Sequence, residues 1–472
     1  MVFKDLRGFL SALRKRGEVH EIEVSVEKDW EIGAICSENF KEKGPALIFK
    51  QVNTYQTPLV VGVLGTEKRF SLALDLLPSV SAIYKKWFYA LEHPLQPKIV
   101  MNAPCKDVIL GEIDLFKDPF PVPKWHHLDG GPELGTFHAV ITKGPETNDM
   151  NCGMYRNEIL DKDILGLYMT NQMRHVALHF QQWKKRKKPM PVAIAIGLDP
   201  YLVVLSASPI PYSLSEYDVA GGLMGEPYEV VSAETSDLLV PANAEIIIEG
   251  EMPTDDFYPK EGPFGEFAGY MGSAQKNSHY IRVKKVTHRK DQFFQGTYEG
   301  KLYNESKVIR SYIRSVYAMK YLKDSGVPGI QDICVTPGGC SFFHIVVSIK
   351  KSYPGHSKQV ISLILNQPSN FYKHCVVVDD DIDPWDLFQV EWAVATRVQA
   401  SRDVVIIKDG RAATMDPSQI PSKRGWSDLL GIDATAPIDE FRKEYAELPP
   451  LADPPENCIR KVRKRWKEYG LT

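Results

Sequence analysis

Two carboxylates stand on either side of a tight turn in the segment Glu261-Gly262-Pro263-Phe264-Gly265-Glu266-Phe267. More than a hundred residues upstream, the segment Asn151-Cys152-Gly153-Met154-Tyr155-Arg156 contains an arginine. An arginine that holds one carboxylate leaves the other to accept or release a proton, which is the task of a general acid–base catalyst. The two segments therefore predict a site that handles protons.

Glu266 is the predicted proton donor of this site. A carboxyl group that delivers a proton near neutral pH needs a raised pKa, which burial or a neighbouring negative charge produces. Phe264, Phe267 and Tyr270 could supply apolar walls, and Glu261 could supply the charge. Taken alone, the motif more often marks two exposed turn carboxylates, so the assignment depends on the rest of the chain.

Strand signals dominate the middle of the chain, from about residue 107 to residue 300. The segments are short, rich in β-branched residues and bounded by Gly, Pro, Asn or Asp. They are Phe137-His138-Ala139-Val140-Ile141, Val192-Ala193-Ile194-Ala195-Ile196, Glu245-Ile246-Ile247-Ile248-Glu249 and Tyr280-Ile281-Arg282-Val283. One helix is expected from Leu165 to Arg186. The pattern favours a β-barrel with inserted helices.

Helical spacing of apolar residues recurs outside this region, in Asp5 to Arg16 and in Ser306 to Leu322. The second helix is followed by a strand, a helix and a strand, which predicts a small α/β domain. These three elements are Phe343-His344-Ile345-Val346-Val347, Lys358 to Asn366, and Cys375-Val376-Val377-Val378-Asp379.

Composition describes an ordinary globular protein, with 472 residues of which 43 % are hydrophobic and 25 % charged. The 57 Lys and Arg nearly balance the 60 Asp and Glu, so no global attraction to nucleic acid or to an anionic membrane is expected. Seven cysteines without a C-x-x-C pair signal neither a disulfide framework nor a zinc cluster. Without an apolar signal core or a long apolar span, the expected location is the cytoplasm.

Several separated motifs, in one order, resemble the UbiD family of reversible decarboxylases, which use prenylated FMN. Besides the two segments above, they are Asp5-Leu6-Arg7, Ser215-Glu216-Tyr217, Val240 to Gly250, Val377 to Asp381, and Gly431-Ile432-Asp433-Ala434-Thr435. The resemblance implies an α+β fold. Its expected parts are an N-terminal α/β segment (1–106), a split β-barrel flavin domain (107–304), a connecting helix (305–323) and a C-terminal α/β oligomerisation domain (324–472).

The resemblance also assigns roles to individual residues. Arg156, Glu261 and Glu266 match the family's catalytic trio, with Arg156 holding Glu261 and Glu266 exchanging the proton. Asn151 and Glu216 match two of the three ligands of a divalent cation, Mn²⁺ or Mg²⁺, beside a K⁺ ion. The complete cofactor-binding set is Asn151, Met154, Tyr155, Arg156, Arg174, His175, Ser206, Ala207, Ser208, Pro209 and Glu216.

Which residue provides the histidine ligand depends on how this segment is aligned with the family. Eighteen residues after Arg156, where some members have the histidine, this chain has Arg174. Hydroxybenzoate-type members carry an Arg-His pair, which places the ligand at His175, and we assign it there. His179 lies one turn further along the same helix face and is interpreted as a surface or core residue.

The expected activity is the non-oxidative decarboxylation of an aromatic, heteroaromatic or α,β-unsaturated acid, or the reverse carboxylation with CO₂. The resemblance implies a flavin prenyltransferase as supplier of the cofactor, and a homodimer or homohexamer. Three alternatives stay open: a carboxylase component of a larger complex, a conventional FMN oxidoreductase, and a silent flavin-binding scaffold. The presence of all three trio residues argues against the scaffold.

Overall fold

The fold is that of a computed structural model. Helices and strands alternate in the N-terminal part of the chain. The structure describes residues 2–117, 119–146, 149–169, 174–368, 371–436 and 449–470. The first elements are α1 (Leu6–Arg14), β1 (Val19–Ile22), α2 (Glu31–Lys41), β2 (Ala46–Phe49), β3 (Leu59–Val61), α3 (Glu67–Leu74) and α4 (Val80–Glu92). The Asp5 carboxylate accepts a hydrogen bond from the Gly8 amide at 2.8 Å. This N-cap confirms the predicted first helix.

Strands make up most of the middle of the chain. They are β4 (Lys98–Ile99), β5 (Val108–Ile109), β6 (Glu133–Gly135), β7 (His138–Lys143), β8 (Met150–Gly153), β9 (Asn157–Asp161), β10 (Ile164–Gly166), β11 (Met190–Ile196), β12 (Glu229–Ser232), β13 (Leu239–Pro241), β14 (Ile246–Met252), β15 (Tyr258–Glu261), β16 (Gln275–Ser278), β17 (Tyr280–His288) and β18 (Phe294–Gln295). The helices between them are α5 (His175–Lys185), α6 (Pro200–Ser206) and α7 (Glu216–Met224). The four predicted strands correspond to β7, β11, β14 and β17 and are confirmed.

A nine-stranded sheet organises this region, with the order β6-β9-β10-β17-β14-β11-β7-β8 and β5 paired to β17. Smaller sheets join β13-β12-β4 and β15-β16, and β18 completes the N-terminal sheet β1-β2-β3. In the described residues the large sheet runs as an open path from β6 to β8. Strands β15 and β16, which form a separate two-stranded sheet, position the turn with the two carboxylates.

The predicted helix from Leu165 to Arg186 is wrong over residues 165–169, while residues 170–173 of the prediction lie outside the described part of the chain. Leu165 lies in β10 and pairs with Ile281 of β17, and the Gly166 carbonyl accepts a hydrogen bond from the side-chain Nδ2 of Asn157 at 2.8 Å. The helix begins only at His175. Pairing with two neighbouring strands decides the conformation of this apolar stretch, because a short apolar run fits strand and helix equally well.

The C-terminal part begins with the long helix α8 (Glu305–Asp324), which Asn304 caps by accepting from the Lys307 amide at 2.9 Å. It continues as β19 (Ile330–Val335), β20 (His344–Ile349), α9 (His356–Leu365), β21 (His374–Asp379), α10 (Leu387–Arg397), α11 (Ala400–Asp403), β22 (Val404–Arg411), β23 (Trp426–Asp433) and α12 (Glu456–Lys464). The sheet order is β19-β20-β21-β23-β22, with the three central strands parallel. The long helix and the alternating elements after it were predicted and are confirmed.

Two large apolar cores hold these parts together. One joins the N-terminal helices with α6, α7, α8 and the C-terminal sheet, and the other fills the space beside the nine-stranded sheet. The fold is therefore mixed α+β, as predicted. In the described ranges, no helix combines the length and the apolar character needed to cross a membrane.

Candidate active site

The turn after β15 holds the two predicted carboxylates in fixed positions. Gly262 has a φ of 75°, which glycine adopts without strain, and the Gly262–Pro263 peptide bond is cis. The Gly262 amide donates to the buried carboxylate of Glu158, and the Pro263 carbonyl accepts from the Gly130 amide at 2.7 Å. These contacts tie the turn to β9 and to the loop before β6.

His126 and Asp129 support the second half of the turn. The Gly265 amide donates to Asp129 at 2.9 Å, and Asp129 also faces the His126 ring nitrogen Nδ1 at 3.1 Å. The other ring nitrogen lies 2.7 Å from the Glu299 carbonyl oxygen. A Cβ atom at Gly265 would lie 2.4 Å from the His126 ring, so only glycine fits against it. His126 is thus a structural residue that holds the turn in place.

Arg156 faces three carboxylates, each from a different nitrogen of its guanidinium. Nη2 donates to Glu261 at 3.1 Å, Nη1 lies 3.9 Å from Glu266, and Nε lies 3.6 Å from Glu133. The Ser278 hydroxyl donates to the second oxygen of Glu261. The structure therefore brings the predicted trio together and adds Glu133 to it.

Burial raises the pKa of Glu266 against the opposing charge of Arg156. Burial also lowers the pKa of Arg156, but the charges of Glu133, Glu261 and Glu266 raise it more, so the guanidinium stays charged. Glu266 is partly exposed, with 17 % of its side chain accessible, whereas Glu261 is fully buried. A raised pKa at the more accessible carboxyl suits a group that gives a proton to a bound molecule.

Helix α8 forms another wall of the site. The buried Lys307 ammonium donates to the Phe267 carbonyl at 2.8 Å, and the Arg310 guanidinium lies 4.5 Å from the centre of the Phe267 ring. Arg310 Nη1 is buried and makes no hydrogen bond to the described residues. This helix therefore presents positive charge close to Glu266.

A second cluster surrounds the predicted metal ligands Asn151 and Glu216. Both side chains are buried, and the Glu216 carboxylate accepts from the Cys152 amide at 2.8 Å. The Asn151 amide oxygen accepts from the Tyr155 hydroxyl at 3.4 Å, and Arg174 lies over the Tyr155 ring at 5.9 Å. Burial raises the pKa of Glu216 to about 7. A cation beside this carboxyl would favour its ionised form.

Two histidines of α5 are candidates for the third ligand. His175 is the first residue of the helix and packs edge-on against the ring of Tyr212, with ring centres 5.1 Å apart. His179 is buried, and its Nδ1 lies 3.0 Å from the Thr142 hydroxyl, which also accepts from the side-chain Nδ2 of Asn151 at 3.2 Å. Burial lowers the pKa of both imidazoles, that of His179 to about 4. The lowered pKa values favour the neutral imidazole, which is the form that binds a metal.

His179 Nε2 is buried and makes no hydrogen bond within the described part of the chain. His179, interpreted from sequence as a surface or core residue, is therefore connected to the Asn151 cluster through Thr142. The sequence pattern gave no reason to include Thr142. Helical spacing of His175 and His179 was the available signal for a second candidate imidazole.

The loop Ser206-Ala207-Ser208-Pro209 lies next to this cluster. The Ser206 carbonyl accepts from the Met154 amide at 2.8 Å, which joins the end of α6 to the segment after β8. The Ser208 hydroxyl donates back to the Val204 carbonyl at 2.6 Å, and the Pro209 carbonyl accepts from the Tyr317 hydroxyl. The predicted cofactor loop is thus fixed between α6 and α8.

The donor atoms of the second cluster fit a hard divalent cation, because they are an amide oxygen, a carboxylate and a neutral imidazole. Across the described ranges, no group of three or more His, Cys, Asp or Glu side chains is arranged to hold a metal ion. A cation here would therefore need ligands beyond these residue types, which Asn151 and the phosphate oxygens of a bound cofactor can supply.

Three successive parts of this chain match known protein-family domains. Residues 10–90, 98–302 and 307–434 match the N-terminal, Rift-related and C-terminal domains of 3-octaprenyl-4-hydroxybenzoate carboxy-lyase, named UbiD. The three matches cover most of the chain and include every predicted site residue.

Solved structures of UbiD-class enzymes are similar along their whole length. HmfF from Pelotomaculum thermopropionicum, in complex with FMN, shares 31 % identity over 95 % of this chain and 98 % of its own, with a TM-score of 0.85. An evolved dimeric form of the same enzyme, with prFMN, gives 30 % identity over 97 % and 100 %, with a TM-score of 0.83. Vanillic acid decarboxylase from Sedimentibacter hydroxybenzoicus, in open form with truncated ShVdcD, gives 29 % identity over 99 % of both chains and a TM-score of 0.88.

Proposed function

Because this chain belongs to the UbiD family and is a carboxy-lyase, we propose that it decarboxylates an aromatic, heteroaromatic or α,β-unsaturated carboxylic acid with prenylated FMN. Glu266 is the proposed proton donor. Decarboxylation of such an acid leaves a carbanion that protein side chains cannot delocalise, and prenylated FMN supplies the electron sink when bound. The protein's own tasks are to bind the acid, exclude water and deliver a proton.

The arrangement around Arg156 carries this proposal. Arg156 is hydrogen-bonded to Glu261 at 3.1 Å and is 0.8 Å farther from Glu266, at 3.9 Å. Arg156 therefore stabilises the Glu261 carboxylate more than the Glu266 carboxylate, and burial raises the pKa of Glu266 despite the charge of Arg156. The protonated Glu266 can then give its proton to the product carbon after CO₂ leaves, and regain one from solvent through its accessible edge.

The cluster of Asn151 and Glu216 is the proposed cofactor anchor. Through a divalent cation, Mn²⁺ or Mg²⁺, these residues and His175 would hold the flavin phosphate, with K⁺ nearby. Arg174, Tyr155, Met154 and the loop 206–209 would line the cofactor. The buried oxygen and nitrogen donors support this assignment, whereas the connection of His179 to Asn151 makes that residue the competing third ligand.

The larger organisation is proposed on the same grounds. We propose that the middle of the chain is a split β-barrel and that the domains have the boundaries given above. The C-terminal domain is the proposed oligomerisation unit, which forms a homodimer or homohexamer. A flavin prenyltransferase would supply the cofactor. The alternative of a component in a larger complex draws support from the Sedimentibacter enzyme, whose structure includes a second component, ShVdcD.

Replacing Glu266 with glutamine tests the proposal, because glutamine keeps the shape of the side chain but cannot transfer a proton. The variant, co-expressed with a flavin prenyltransferase, should bind cofactor normally and lose at least about 10²-fold in turnover, the range typical of a lost general acid. Release of CO₂ from a panel of aromatic, heteroaromatic and α,β-unsaturated acids is the measurement. Near-normal turnover would remove Glu266 from the mechanism.

A further inference from the structure

Arg310 on α8 is a positively charged side chain without an evident task. Its Nη1 nitrogen is buried and makes no hydrogen bond to the described residues. The guanidinium lies 4.5 Å from the centre of the Phe267 ring, and Phe267 directly follows the proposed proton donor, Glu266. A buried donor of a charged group that stays unpaired costs free energy, so its presence beside the site needs an explanation.

Two further cations of α8 lie one turn before and one turn after Arg310, and both have partners. The Lys307 ammonium donates to the Phe267 carbonyl at 2.8 Å. The Arg314 guanidinium lies 3.8 Å from the centre of the Phe342 ring. The charge of Arg310 acts on both of these cations. Positive charge is thus concentrated on this wall of the site, which favours the binding of an anion there.

The proposed proton donor does not explain Arg310. Arg156, at 3.9 Å, already provides a positive charge beside the Glu266 carboxylate. Arg310 adds a second positive charge, which favours the ionised carboxylate and so lowers the pKa of Glu266. A proton donor needs the protonated form, so an uncompensated Arg310 acts against the role proposed for Glu266. An anion bound to Arg310 would offset this charge.

The reacting carboxylate of the substrate is a poor candidate for this anion. It loses its charge as CO₂ leaves, so a cation paired with it would stabilise the bound acid more than the transition state. A second carboxylate on the same ring keeps its charge throughout the reaction. A guanidinium binds such a group through two parallel hydrogen bonds, and the neighbouring Phe267 ring can pack against an aromatic acid.

We propose that Arg310 binds a second carboxylate of the substrate, which makes the acid accepted by this site an aromatic dicarboxylic acid. The inference rests on the proposed function, because it names the class of acid within it. The bond from the ring carbon to one carboxylate breaks, CO₂ leaves, and the ring carbon takes up the proton of Glu266. The other carboxylate stays bound to Arg310, so the product is the corresponding monocarboxylic acid.

Calorimetric binding to the full-length holoenzyme tests the assignment. Glu266→Gln is introduced into every protein of the series, so that turnover does not disturb the measured heats. The probes are isophthalic acid, terephthalic acid and thiophenedicarboxylic acid, each compared with its own monoamide. The monoamide has nearly the same shape as the diacid but lacks the second negative charge.

With Arg310 in place, at least one diacid should bind about 10-fold to 100-fold more tightly than its monoamide, the range for a hydrogen bond to a charged group. Arg310→Gln should bring this ratio close to one. Arg310→Lys, which keeps the charge without the two parallel N–H groups, should retain part of the preference.

Lys323→Gln is the matched control. It removes one positive charge from an exposed position of the same helix, about 20 Å along the helix axis from Arg310. The preference for the diacid should persist in this variant. If Lys323→Gln reduced the ratio as much as Arg310→Gln does, the effect would come from the overall charge of the helix, and the assignment to Arg310 would be wrong.

Two further results would overturn the proposal. One is that no diacid binds more tightly than its monoamide while Arg310 is in place, and the other is that Arg310→Gln leaves the preference unchanged. The first comparison alters only the ligand, so the test holds even if Arg310→Gln does not fold.

The binding measurement requires no turnover, so it separates this inference from the proposed function. A preference for a diacid that depends on Arg310, without CO₂ release from any diacid by the protein that retains Glu266, would reject the function and keep the assignment of Arg310. CO₂ release from monocarboxylic acids, without a preference for any diacid, would reject the assignment of Arg310 alone.

Discussion

Replacing Gly265 with alanine should displace the turn that carries Glu266. A Cβ atom at this position would lie 2.4 Å from both Cε1 and Nδ1 of His126. Carbon atoms in contact normally lie about 3.5–4.0 Å apart, so the overlap exceeds about 1 Å. His126 cannot retreat without losing its contacts to Asp129 and to the Glu299 carbonyl, at 3.1 and 2.7 Å.

The cost follows from these distances. Overpacking of this kind destabilises a protein by about 1–3 kcal/mol. A change from glycine to alanine also lowers the conformational entropy of the unfolded chain, which stabilises the folded protein by about 0.4–1 kcal/mol. We expect a net destabilisation of about 1–2 kcal/mol. Glu266 follows Gly265 directly, and a displacement of about 1 Å at a catalytic group can cost about 10²-fold in rate.

Urea unfolding and turnover of an acid accepted by the unmodified enzyme are the two assays. Gly111→Ala is the matched control, because no atom lies within 4 Å of a Cβ built there. The control should keep both unfolding midpoint and turnover. If Gly265→Ala behaves like Gly111→Ala in both assays, the turn does not depend on its contact with His126, and this account of how Glu266 is positioned is refuted.

The remaining predictions concern the cofactor anchor and the pH dependence. Glu216→Ala should lose bound metal and flavin together, since it removes an anionic ligand; unchanged contents, by elemental analysis and absorbance, would reject the anchor. His175→Ala should lose both as well, whereas His179→Ala and Arg174→Ala should retain them; loss in His179→Ala alone would move the third ligand to that residue. Because the pKa of Glu266 is raised and its protonated form is the active one, turnover should be present below that pKa and fall as the pH rises through it. A rise in turnover over that range would contradict the role of Glu266.

The sequence predicted the parts of the fold that depend on local pattern. Helix α1 has its apolar residues at helical spacing and a capping Asp5, and β11 and β14 are β-branched runs with turn residues at their ends. The helix predicted from Leu165 was wrong because β10 gains partners from distant strands. Pairing with β17, more than a hundred residues further along the chain, is not encoded in the local spacing.

The candidate site likewise contains residues that sequence motifs predict and residues that only the fold brings together. Arg156, Glu261 and Glu266 stand in motifs that a single sequence displays, and the structure brings them together. Glu133 has no motif around it, and its proximity to Arg156 results from the pairing of β6 with β9. Thr142 joins Asn151 to His179 only because β7 and β8 are neighbours. Such contacts depend on strand register, which the sequence pattern did not fix.

Native mass spectrometry of the full chain, co-expressed with a flavin prenyltransferase, tests the central claim most directly. The account predicts a bound mass equal to that of prenylated FMN, together with CO₂ release from an unsaturated or aromatic acid in the absence of NAD(P)H. Bound FMN without the prenyl group, in a protein that turns over only with NAD(P)H, would contradict it.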